Sequence, residues 1–208
     1  LAMSIFPKKF NRYLVPVFPA LNILAALGWF GFIRILQHTT GQRITQALRW
    51  HSAHIIMIPV AVVALAHAMW YHPYSIVYFN QLLGGPQKGA ETFSVGWGEG
   101  YDQVAAWLNQ QADITGVVTA AIMVKSLNPY LRDGAQATTL DGKHLPAQTG
   151  YVVVSLYQAQ GTVFPPFDQF YGHAEPLHTV TLHGVDYFWI YQAPPAVAQA
   201  RVAEFGSN

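Results

Sequence analysis

Two long apolar stretches, followed by a change of rhythm, set out how this chain is organised. Residues 13–36, YLVPVFPALNILAALGWFGFIRIL, carry no charge before Arg34, and residues 54–74, HIIMIPVAVVALAHAMWYHPY, carry none. Apolar runs of ~20 residues match the ~30 Å hydrocarbon thickness of a bilayer. Each stretch is therefore expected to be a transmembrane helix, over about 13–36 and 54–74. Pro16 and Pro19 fall in the first turns of the first run, where a missing N–H costs least. Trp70, Tyr71 and Tyr74 close the second run as an interfacial aromatic belt. The short apolar and aromatic segment 75–85, ending in Gly84-Gly85 ahead of Pro86, reads as lying along the interface.

Beyond residue 85 the pattern becomes that of a small α/β domain. Tyr101, Val104, Ala105 and Leu108 recur at helical spacing and predict a helix over 101–111. The runs 114–124 and 150–157 read as buried strands. Residues 178–183 and 185–191 alternate like a further pair, broken at Gly184. A short helix is expected near 128–133, a Pro- and Gly-rich loop over 158–176, and a loosely ordered tail over 194–208. The expected fold is an α-helical membrane segment of two transmembrane helices (1–85), followed by a small α/β extracytoplasmic domain (86–193).

Charge sharpens this division. Residues 1–85 hold Lys8, Lys9, Arg12, Arg34, Arg43 and Arg49 and no acid, whereas 86–208 hold all 10 acids against Lys88, Lys125, Arg132, Lys143 and Arg201. The near-neutral total is thus a cancellation between unlike halves. Arg43 and Arg49 follow Arg34 in the loop between the apolar runs, which by the positive-inside rule makes that loop cytoplasmic. The expected location is the cell membrane, multi-pass, with the C-terminal domain on the extracytoplasmic side. Lys8, Lys9 and Arg12 then fall on the outer side, against the usual bias, and binding of an anionic lipid head group is a reason for them. Basic residues scattered beside apolar runs give no nucleic-acid footprint. The absence of cysteine excludes disulfides, thiolate metal sites and a Cys nucleophile.

Candidate chemistry concentrates in few places. In VGWGEGYDQVAAWLN (95–109), Gly96, Gly98 and Gly100 alternate with Trp97 and Glu99 and run into the helix. The spacing is not that of a dinucleotide-binding loop, and no strand precedes it; a turn requiring positive φ is the better reading. Glu99 and Asp102 are spaced for acid/base work, yet acids at a helix start complement its dipole and cap its free N–H groups. Structural capping is expected of them, with substrate or partner contact as the alternative. His54 and His67 lie roughly 20 Å apart along one helix and are weak candidates for ligating haem or a chlorophyll-type pigment. His173, His178 and His183 are too dispersed for a zinc site. No metal and no cofactor are expected.

PKKFNRYLVPVFPALNILAALG, HPYSIVYFNQLLGGP, VGWGEGYDQVAAWLN and GVDYFWIY, taken in that order, resemble the C-terminal part of bacterial membrane glycosyltransferases. These enzymes are related to the dolichyl-phosphate-mannose protein mannosyltransferases (family 39, the GT-C superfamily). The resemblance covers nearly the whole chain. It implies transfer of a sugar from a polyprenyl-phosphate carrier, with Lys8, Lys9 and Arg12 facing the carrier's phosphate. It also implies a catalytic carboxylate in an early outer loop, but this chain has no acid before Glu91. The expectation is therefore a C-terminal portion of such a glycosyltransferase, not catalytically complete alone. The alternative is a non-catalytic, membrane-anchored subunit of a larger complex. The implied partners are membrane lipid, polyprenyl-phosphate sugar, and other membrane protein chains or missing N-terminal spans.

Overall fold

A computed structural model describes residues 18–39, 46–139, 145–146, 148–161, 163 and 165–193. The chain divides into two units, residues 1–67 and 68–208. The first is helical: α1 spans Phe18–Thr39 and α2 begins at Gln46, running to Tyr71 just past the division. Ala and Leu favour helix in α1, and Ala does so in α2; both helices leave large apolar side chains exposed. Leu24 and Leu27 are 63% exposed on α1, and Leu65 is 61% exposed on α2.

These helices correct the membrane reading. Among the described residues, no helix is long and apolar enough to cross a membrane. Helix α1 takes in Arg34, Gln37 and His38 in its last turns. Helix α2 spends its first turns on Gln46, Arg49, His51, Ser52 and His54, and holds Pro59 and His67 farther on. Helix formation thus extends each apolar run into polar sequence. The two expected transmembrane helices, and with them the multi-pass membrane location and the outward-facing domain, are not supported by the fold, which is α/β.

The second unit is built on a five-stranded mixed sheet in the order β2-β1-β3-β5-β4. Its strands are β1 Val118–Ala120, β2 Gln136–Thr138, β3 Thr149–Ser155, β4 His178–Leu182 and β5 Val185–Gln192. Strands β2, β1 and β3 run parallel, while β5 is antiparallel to both β3 and β4. Every residue of β3 is buried, because both faces of the sheet are covered, which is why YVVV is uninterrupted rather than alternating. On one face Val153, Ile190, Phe188, Val180 and Leu182 pack with Tyr101, Val104, Ala105 and Leu108 of α4 (Tyr101–Leu108). On the other, Val152, Val154 and Tyr191 pack with Phe167 and Phe170. Strands β4 and β5 meet in a two-residue turn in which His183 and Gly184 both have positive φ (48° and 82°), the backbone that matches strand twist in hairpins.

Several expected elements are shorter than their apolar runs. The run 114–124 contributes only three residues to β1, because Ile114, although wholly buried, sits in a turn closed by Gly116 N–H to the Asp113 carbonyl. The expected helix near 128–133 is instead α5, Val124–Leu127, with one 3-10 turn at Asn128–Tyr130. Segment 75–85 holds 3-10 turns at Ser75–Val77 and Gln81–Leu83; Val77 enters the core, while Leu82 is 94% exposed. Helix α3 follows at Gly85–Thr92. Residues 158–161, read as loop, belong mostly to α6, Leu156–Gln160, which starts at a reciprocal cap. There Ser155 Oγ accepts the Gln158 N–H and Gln158 Oε1 accepts the Ser155 N–H.

Candidate functional site

The carboxyl ends of parallel strands are where an open α/β sheet leaves room for a ligand, because the chain departs there into loops. In this unit β1 exits through residues 121–123 into α5, and β3 exits directly into α6. The glycine-rich segment 95–100 lies over both exits. A Cβ built on Gly96 would stand 3.0 Å from the Tyr157 backbone N, and one on Gly98 would stand 3.2 Å from Ser126 Oγ. Gly96, Gly98 and Gly100 have φ of 89°, 119° and 92°. L side chains rarely adopt such values, so the alternating glycines are a backbone requirement, as the turn reading expects.

The segment is fixed by hydrogen bonds on both sides. Gln160, at the end of α6, accepts the Val95 N–H at 2.8 Å and donates from Nε2 to the carbonyls of Ala90 (2.5 Å) and Phe93 (3.1 Å). Glu99 closes the loop on itself, its Oε1 accepting the Gly96 N–H at 3.1 Å. What this frame presents is aromatic. Trp97 is 48% exposed and meets Tyr157, 36% exposed, at a ring-centroid distance of 5.2 Å and an interplanar angle of 49°.

The two acids of this stretch have separate tasks. Glu99 precedes the helix and also lies near Tyr187, whose phenol is raised above its ordinary range first by burial and then by the Glu99 charge. Asp102 lies in the first turn of α4, where its charge complements the helix dipole, and accepts the Tyr74 O–H at 2.5 Å. Gln103 Nε2 donates to the same phenol oxygen at 3.1 Å. Burial, then the hydrogen bond to Asp102, pushes the Tyr74 phenol up to about 12. Tyr101, between the two acids, turns into the core and is 1% exposed. The pair is thus not assembled as an acid and a base facing one substrate. One carboxylate shapes the loop and the other fastens residue 74 to α4.

The other sequence candidates lie elsewhere. Lys8, Lys9 and Arg12 fall outside the described residues. His54 lies on α2, and His67, on the same helix, shares a 2.8 Å hydrogen bond between Nδ1 and the Val63 carbonyl one turn back. His178 stacks on Trp107 at 5.5 Å and His183 packs on Tyr71 at 4.3 Å, while His173 is exposed. No group of three or more His, Asp or Glu among the described residues is placed to hold a metal ion. Trp97, Tyr157 and Ser126 were not singled out by the sequence pattern. A tryptophan isolated between glycines was the available signal for the first; the other two join it only through the exits of β3 and β1. No protein-family model, curated protein or solved structure matches the chain.

Proposed function

We propose that the chain is the C-terminal portion of a glycosyltransferase that takes its sugar from a polyprenyl-phosphate carrier, and that it serves this reaction without supplying the catalytic carboxylate. The observation that carries the reading is the ordered set of motifs from PKKFNRY to GVDYFWIY. The site geometry supports the non-catalytic part. Glu99 and Asp102, the acids nearest the glycine loop, are both engaged in holding local structure, which is a poor arrangement for a general acid or base. Lys8, Lys9 and Arg12 supply the cations for the carrier's phosphate, with Arg12 suited to bidentate contact.

The exposed apolar side chains of α1 and α2 favour a second reading, that of a non-catalytic subunit whose helices pack against other helices of a larger assembly. Equilibrium binding of undecaprenyl phosphate in detergent micelles separates the two. On the transferase reading the chain retains the lipid, and replacing Lys8, Lys9 and Arg12 together by Gln weakens binding by about tenfold or more. Equal binding by the parent and the triple variant overturns the phosphate assignment. No binding by either leaves the subunit reading as the better account.

A further inference from the structure

The 95–100 segment spends a good deal of structure on a small result. Positive φ at Gly96, Gly98 and Gly100, the three-bond clamp of Gln160 and the Glu99 closure all serve to hold one tryptophan half out of the core. Trp97 in turn is fixed against the Tyr157 ring, and Tyr157 is the second residue of a capped helix. Burying either ring would be favourable, and a collapsed loop would do so. The frame instead keeps both rings exposed together at the edge where β1 and β3 end.

We propose that Trp97 and Tyr157 form a stacking platform for a neutral saccharide, with Glu99 and Ser126 as hydrogen-bonding partners for its hydroxyl groups. A pyranose presents a flat patch of C–H bonds on one face and a rim of hydroxyls. It is matched by aromatic faces carrying a small number of placed polar groups. The platform has both parts. The loop that carries Trp97 also carries half-exposed Glu99, whose Oε2 has no hydrogen-bond partner among the described residues, and it rests at Gly98 against Ser126 Oγ. A protein-docking surface would differ in kind. The large exposed aliphatic side chains of this unit lie at Ile76, Leu82, Leu83 and Leu177, whereas the platform's two large exposed residues are both aromatic and each bears a polar atom.

The proposal rests on the glycosyltransferase reading for its choice of ligand, and deepens it. The platform holds the glycan being extended or the sugar being moved, away from the reacting atoms.

The test is a binding experiment on the full chain, with mannotriose, maltotetraose and chitotriose as probes and no lipid donor present. Trp97 is one of 6 tryptophans, so its indole N–H resonance is assigned from Trp97→Phe and followed during titration. At least one saccharide is expected to shift that resonance with saturation in the millimolar range. Trp97→Leu, which keeps apolar cover over the loop, should weaken binding about tenfold, and so should Tyr157→Ala. Trp97→Phe and Tyr157→Phe, which keep the rings, should stay within about threefold. Glu99→Gln, which still accepts the Gly96 N–H, should lose a few-fold. The proposal is overturned if no probe shifts the Trp97 resonance at about 10 mM, or if Trp97→Leu binds as the parent does. Saccharide binding by a chain that retains no undecaprenyl phosphate would refute the proposed function and leave the platform standing. Retention of that lipid, weakened by the triple replacement of Lys8, Lys9 and Arg12, with no saccharide bound would do the reverse.

Discussion

Leucine has opposite fates in the two units. Leu24 and Leu65, on α1 and α2, are 63% and 61% exposed, whereas Leu108 and Leu127, on α4 and α5, are fully buried. All four sit on helices, but Leu24 and Leu65 lie within long apolar runs whereas Leu108 and Leu127 are each followed by Asn. The difference is that the sheet unit brings its own cover. The strands β3, β4 and β5 turn Val153, Val180, Phe188 and Ile190 toward α4, while among the described residues Leu24, Leu27 and Leu65 of the long helices stay exposed. An apolar run states that cover is required, and leaves open whether lipid, another chain or the chain's own sheet provides it.

Equilibrium unfolding in urea gives the strongest way to break this comparison. Leu108→Ala should destabilise the sheet unit by about 3–4 kcal/mol, since it removes buried methyl groups and leaves a cavity. Leu65→Ala should change stability by no more than about 0.5 kcal/mol. Equal losses from the two substitutions would show that α2 is as well covered as α4. The next effect concerns the glycine loop. Gly100→Ala meets both a φ of 92° and a Cβ only 3.1 Å from Leu182 Cδ1 and 3.2 Å from a Phe188 ring carbon, so a loss of about 2 kcal/mol is expected. A neutral Gly100→Ala would mean that the loop relaxes freely, and that its glycines do not fix Trp97.

The smallest effect is alkaline. The phenols of Tyr74 and Tyr151 are both pushed from 10 up to about 12, by burial first and then by hydrogen bonds to Asp102 and Asp113 respectively. A folded-state value above the unfolded one means that the folded chain holds these protons more tightly. The associated stability is complete below about pH 10 and is lost as pH rises toward about 12. Urea midpoints should therefore fall between about pH 10 and 12, and Tyr74→Phe should make that fall shallower. A profile identical in the parent and Tyr74→Phe would remove the Tyr74–Asp102 bond from the account.

Some of this architecture is legible from residue pattern alone. Tyr101, Val104, Ala105 and Leu108 mark α4 by periodicity, and YVVV and the paired runs around Gly184 mark β3, β4 and β5 to within a residue or two. Other parts are not, for identifiable reasons. Residues 114–124 are mostly apolar although a turn with exposed Thr115 and Gly116, a short buried strand and a helix approach share the run, and periodicity does not divide it. Helix α6 was hidden because its cap, Ser155 with Gln158, sits at the end of a strand whose apolar rhythm runs on through Leu156 and Tyr157. The apolar runs at 13–36 and 54–74 are defined by hydropathy alone, whereas α1 runs on to Thr39 and α2 spans Gln46–Tyr71. At the site, the alternating glycines announced a turn, but Glu99 looked like a helix-start acid until Gly96 was seen to donate to it. Tyr157 and Ser126 could not be foreseen, since they reach the loop only through the sheet.

The bond from Val95 to Gln160 joins positions 65 residues apart, and this sets a timetable. A ribosome completes the glycine loop well before it reaches the residue that clamps it, so the nascent segment 95–100 emerges with its amide donor waiting. Trp97 acquires its neighbour Tyr157 only after β3 has been made and has closed that long interval, a step whose entropic cost slows folding. The surface that faces outward at the edge of the sheet accordingly cannot take shape before β3 and α6 have been made. A slow-translating stretch between codons 100 and 155 would prolong the interval in which that tryptophan is present without its frame.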